Sequence, residues 1–178
     1  MKQPSIQKKG FSLLETILYL ALIVIMLGAL VPVMLQIVDA GAKSSLDQEV
    51  DSVARYASER IIYEIRNAQN LNVASSSFGT NFAASSTALL SLAESSTAVN
   101  PTTFSVASGT LYVAQGTSTP VSLTPSSTSV SSLIFTNNST STFNNVSFVL
   151  VLIDSSPSVR EEFQATTTIE GTAELRGK

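Results

Sequence analysis

The feature that most constrains this chain is a run of 23 residues without a charge, Thr16 to Val38, dominated by Leu, Ile, Val, Ala and Met. As a helix rising ~1.5 Å per residue, such a run matches a ~30 Å hydrocarbon core with slight excess. It is long enough to span a membrane. Lys2, Lys8 and Lys9 lie on its N-terminal side, and Asp39, Asp47, Glu49 and Asp51 follow it. By the positive-inside rule the N-terminus is expected in the cytoplasm and the bulk of the chain outside, as a single-pass membrane protein. The 178 residues leave room for one domain of ordinary size beside this anchor.

Helical patterning continues past the apolar run. Leu46, Val50, Val53, Ala57, Ile61, Ile65 and Ala68 follow at steps of three or four, which lays one apolar stripe along a helix. Asp51, Arg55 and Glu59 sit four apart on another face, as do Arg60 and Glu64, so neighbouring charges attract. The spacing predicts one long helix from about Phe11 to about Asn70. It predicts imperfection near Pro32, whose ring presses on the carbonyl of Gly28, and a weak point at Gly41.

Beyond Asn70 the composition changes, and Glu94 is the only charged side chain between Leu71 and Ile153. Serine and threonine dominate, yet alternation within the region argues for strands over a disordered stalk. Phe104, Val106, Ser108-Gly109, Leu111 and Val113 read as a hairpin with a two-residue turn. Val130–Thr136 and Val146–Ile153 read as a second strand pair around an Asn137–Asn145 loop. The later strand, apolar on both faces, is expected to be central in a sheet. Thr87–Glu94 and Glu161–Leu175 are expected as edge strands, Ser95–Thr102 and Thr117–Ser129 as loops. The fold class is α+β, with the long N-terminal helix packed on an antiparallel sheet.

Composition narrows the chemistry. There is no Cys and no His, which removes disulfides, thiol catalysis, the usual zinc sites and any Ser-His-Asp triad. No cofactor and no metal are expected. From Phe11 onward 13 acidic side chains outweigh the basic ones, since three of the chain's 10 Lys and Arg precede that point. Without a basic stripe, no specific nucleic-acid face is predicted.

The octapeptide Lys8-Lys9-Gly10-Phe11-Ser12-Leu13-Leu14-Glu15, followed at once by the apolar run, resembles the prepilin signature of type IV pilins and type II secretion pseudopilins. That resemblance implies residues 1–10 as a leader, cleaved after Gly10 by a prepilin peptidase that then methylates the amino group of Phe11. It implies residues 11–38 as the transmembrane helix, 39–70 as its amphipathic continuation and 71–178 as a β-rich extracytoplasmic head. A carboxylate such as Glu15 in an uncharged membrane helix costs ~2.5–3.5 kcal/mol near the bilayer centre unless partnered. The family supplies the partner, the α-amino group of Phe11 on a neighbouring subunit, so Glu15 is expected to set register in assembly. Pro32 falls where the family commonly carries a helix-breaking proline, and is expected to let the helix extend locally.

The implied partners are other pilin or pseudopilin subunits, the peptidase and methyltransferase, an inner-membrane assembly platform and membrane lipid. Arg55, Arg60 and Arg66, the ending Ile65-Arg66-Asn67-Ala68-Gln69-Asn70 and the Gly109-Thr110-Leu111-Tyr112 hairpin look most like J-class minor pseudopilins and W-type minor pilins.

Three other readings compete. Ala40-Gly41-Ala42 fits a signal-peptide cleavage site, although the apolar region exceeds the ~7–15 residues of a usual signal core. An anchored or secreted adhesin would keep the β domain as a binding module outside any filament. Asp154, Glu161 and Glu162 are the best catalytic or calcium-binding constellation available, but such carboxylates are more often solvated loop charges, and no enzyme is expected. The sequons at Asn137, Asn138 and Asn145 arise readily by chance in polar turns.

Overall fold

The computed structural model describes residues 12–140, 143–155 and 164–176. It contains one long helix, α1 (Leu13–Asn67), and eight strands: β1 (Asn70–Leu71), β2 (Leu89–Ala93), β3 (Thr102–Ala107), β4 (Thr110–Gln115), β5 (Val121–Ser122), β6 (Thr128–Asn137), β7 (Asn145–Asp154) and β8 (Thr166–Glu174). The chain divides into two compact units, one ending at Ala42 and the other beginning at Lys43.

In the first unit α1 is exposed on all sides from Leu13 to Ala42, with large apolar side chains from Leu13 to Val38 facing outward. It is the one helix among the described residues long and apolar enough to cross a membrane. The imperfection expected at Pro32 and Gly41 does not end the helix, which runs through both. A long helix tolerates one missing donor when the turns on either side hold it.

In the second unit, which we call the head, the stripe on α1 meets the strands. Val50, Ala57, Ile61, Ile65 and Ala68 are buried as their spacing predicts, with Leu46 and Val53 partly so. Ala54 and Ser58 are buried as well. Both belong to the side of α1 that faces the strands.

Two antiparallel sheets share this core, where one sheet was expected. The first has the order β1-β2-β3-β4-β5 and the second β6-β7-β8. The predicted Ser108-Gly109 turn joins β3 to β4, with φ of 50° and 75° that match a two-residue turn of the primed type. The same turn ties the sheets together, since Val130 N donates to Gly109 O at 2.7 Å.

β7 is the centre of its sheet as expected, but only its inner row of Val146, Phe148, Leu150 and Leu152 is buried. On the other face Val149 is 37% exposed. A single core on one side suffices for an antiparallel sheet, and β-branched residues then hold the strand on the half-exposed face.

Other boundaries shift. The Thr87–Glu94 segment supplies β2, which lies between β1 and β3 and is not an edge. The expected 117–129 loop contains β5 and the start of β6, and β3 begins at Thr102. β8 does form an edge, beginning at Thr166. Beside β6, Gly79 N and Phe82 N donate to Phe135 O and Leu133 O, both at 2.8 Å, so a loop covers that side of the second sheet.

Inside the head, Phe82, Phe135 and Phe148 are each almost fully buried, with neighbouring ring centroids 5.1 and 6.0 Å apart. Gly171 sits opposite Phe148 on β8, and a Cβ there would lie 2.4 Å from the ring. The glycine makes room for the aromatic ring. Gly171→Val is therefore expected to cost about 1–3 kcal/mol by overpacking, read as a lower melting temperature of the full chain in detergent. The neighbouring exposed Thr172→Val should stay within about 0.5 kcal/mol of the parent.

Candidate assembly site

Ser12 opens α1. Its carbonyl accepts from the amides of Glu15 and Thr16 at 3.0 and 3.3 Å, and its hydroxyl lies 3.2 Å from the Glu15 amide as acceptor. Ser12-Leu13-Leu14-Glu15 thus carries the spacing of a helix-capping box, which satisfies amides that a helix start would leave bare. Glu15 itself is exposed in the first turn, where a carboxylate is also favoured by the helix dipole. The capping role of Ser12 went unread in the sequence, although the S-x-x-E pattern signals it.

Of the other expected site residues, Pro32 lies inside α1 with an exposed surface around it. Gly10 and Phe11 lie outside the described residues, as do Glu161 and Glu162. Asp154 ends β7, and its amide donates to Ala165 O at 2.9 Å. Among the described residues no group of three or more metal-ligating side chains comes together. Asn137 and Asn138 build the β6–β7 turn, accepting from the Ser139 amide at 3.0 Å and donating to the Ser147 hydroxyl at 2.8 Å.

The polar centre of the head is one that the sequence pattern did not single out. Glu64 is only 3% exposed, next to Ile65 on the buried side of α1. Arg60 approaches its Oε1 at 2.6 Å, and Gln115 at the end of β4 donates to the same oxygen at 3.1 Å. The expected surface pair is thus a largely buried carboxylate held from two elements. Its only sequence signal was the i, i+4 arginine.

Glu64 also lines a cavity of about 470 Å³ at the end of α1, together with Glu94, Gln115, Arg66 and Arg176. Arg66 closes the helix: Ala68 N donates to Glu64 O at 3.0 Å and Arg176 N to Arg66 O at 3.3 Å. These bonds satisfy carbonyls that the last turn leaves open, and an arginine there suits the negative end of the dipole.

Glu94, at the end of β2, has one carboxylate oxygen shielded from solvent and without a hydrogen-bond partner. Burial first, and the charge of Glu64 second, push its carboxyl above the ordinary glutamate range. The folded head therefore favours the neutral acid more than the unfolded chain does. Its contribution to stability is full below the ordinary value and is lost as pH rises through the raised one. Glu94→Gln is expected to raise the melting temperature at neutral pH by a few degrees at most, the side chain being partly exposed. The gain should vanish below about pH 4.5, the unperturbed glutamate value. Thermal scans of both proteins across that range check the sign.

Set against known proteins, the chain matches no family model, no curated protein and no solved structure.

Proposed function

We propose that this chain is a structural subunit, a minor pilin or pseudopilin, of a type IV pilus-like or type II secretion filament. The observation that carries the reading is the order of its parts: a Lys-Lys-Gly-Phe-Ser-Leu-Leu-Glu octapeptide runs directly into a helix with an unpartnered apolar surface, and that helix continues into a folded β-rich head. A surface of this kind suits lipid while the subunit is stored and neighbouring helices once it is assembled.

The mechanism proposed is assembly, with no turnover. A prepilin peptidase cuts after Gly10 on the cytoplasmic side and the new amino group of Phe11 is methylated. The Glu15 carboxylate then pairs with the Phe11 amino group of an adjacent subunit, replacing the cost of an isolated charge in hydrocarbon with an ion pair that sets axial register. Pro32, which cannot donate to Gly28, is the place where the helix gives way as subunits pack. An inner-membrane platform moves each subunit from lipid into the filament, heads outward.

N-terminal mass spectrometry of the protein from membranes of cells that contain a prepilin peptidase tests this directly. A chain beginning at N-methyl-Phe11 is expected; an intact Met1 or a start at Lys43 would remove the reading. Gly10→Leu should leave the leader attached. Glu15→Ala should be processed normally and lost from sheared filaments, and its normal incorporation would remove the register role.

A further inference from the structure

We infer that the free edge of β8 is a docking site for an extended segment of another protein, which adds as a fourth strand to the second sheet and carries basic side chains opposite Glu170 and Glu174. This site stands whether or not the chain enters a filament.

Hydrogen bonds at the two ends of the β7–β8 pair fix which way the backbone of β8 points. Asp154 N donates to Ala165 O and Leu175 N to Asn144 O, both at 2.9 Å, and the register between them runs without a shift from Ile153–Thr166 to Asn145–Glu174. In an antiparallel pair only alternate residues exchange bonds with the neighbouring strand. Thr167, Ile169, Gly171 and Ala173 therefore turn their main chain to β7, and Thr166, Thr168, Glu170, Thr172 and Glu174 turn theirs away from it. That side of β8 is the end of the sheet, and among the described residues no hydrogen bond from a loop or helix reaches these five backbones.

The opposite end of the same sheet is closed. Along β6 the amides of Gly79 and Phe82 bond Phe135 O and Leu133 O, and the Asn81 side chain accepts from Leu133 N at 3.1 Å. One edge is thus covered from within the chain. The other leaves the amide and carbonyl of every second residue open, which is the template that a further strand requires.

Side chains decide what can be added. The residues whose main chain faces outward also lie exposed on the outer face of the sheet. Glu170 and Glu174 are the charged side chains on that face, with Val149 and Asn145 beside them on β7, and neither forms an ion pair among the described residues. Arg66 and Arg176 border a hollow with Glu174 without pairing with it, so the acidic stretch ends there. On the inner face Ile169 packs on the core yet is only partly buried, and an apolar side chain on the added strand would extend its cover. The fitting segment therefore alternates, apolar toward the core and polar outside, with lysine or arginine opposite Glu170 and opposite Glu174. A second β8 does not fit: paired over its full length it sets Glu170 against the same residue of the copy, and like charges directly opposite repel.

The probe is a blocked peptide matched to the nine residues of β8, with lysine at its first and fifth positions, threonine at the other odd positions and valine at the even ones. Added to the full chain in detergent micelles, it should slow amide exchange at Thr166, Thr168, Glu170, Thr172 and Glu174 about tenfold or more, read residue by residue by NMR. Thr167, Ile169, Gly171 and Ala173, already bonded to β7, should not change. A peptide with glutamate in place of lysine should bind about tenfold more weakly or worse, and Glu170→Lys with Glu174→Lys should reverse that preference. Thr168→Pro removes one outward amide and none that β7 uses, so the melting temperature should hold while binding falls. Should that variant lose its fold, the charge reversal still decides.

No binding, binding that protects none of the five amides, equal binding of the two peptides, or a preference unchanged by charge reversal would overturn the inference. Full binding to a folded Thr168→Pro variant would do the same, since the peptide would then adhere by charge alone. Slow exchange of the outward amides in the chain by itself would mean that the edge is already covered. Protection that rises with the chain's own concentration would give the site to a second copy instead.

Discussion

The head depends on the burial of one side of α1 against strands that cannot form a closed core without it. Ala54, Ala57, Ile61 and Ile65 are wholly inaccessible, and they share a single apolar cluster with the inner rows of both sheets. A two-residue β1 or β5 has little stability of its own, and a three-stranded sheet exposes one whole apolar face until something covers it. The helix supplies that cover. Its polar neighbours add direction: Glu64 receives both Arg60 and Gln115, so the end of β4 is fixed against a particular turn of α1.

Joining two sheets on one helix requires that they also meet each other. The Ser108-Gly109 turn does this because its left-handed backbone turns the Gly109 carbonyl toward Val130, and because glycine leaves space where a Cβ would lie 2.2 Å from the Ser129 hydroxyl. Gly171 plays the matching part on the other sheet by yielding room to Phe148. Glycine is thus found at two positions where a Cβ would collide with a neighbouring strand's side chain.

α1 changes character along its length. Up to Val38 it presents large apolar side chains in every direction, the pattern of a helix solvated by hydrocarbon or by like helices. From Val50 it buries one apolar side, and the remainder carries most of its charges together with the exposed Tyr56 and Tyr63. The proposed assembly role uses this division: one stretch exchanges lipid for neighbouring subunits, and the other fixes a head to it.

The sequence by itself determined the elements whose cause is local. The long apolar helix was legible because 23 uncharged residues in a row suit one apolar, membrane-length helix, the head part of α1 because its apolar spacing repeats at helical period, and the hairpin because Ser-Gly between alternating residues satisfies a two-residue turn. Only the tertiary structure decided how many sheets there are, that β2 is interior, that β7 buries one face, and that Glu64 lies inside. Strand order depends on contacts between residues far apart in the chain, which periodicity does not encode. Whether a carboxylate is buried depends on partners such as Gln115, 51 positions away, that arrive only when the chain has folded.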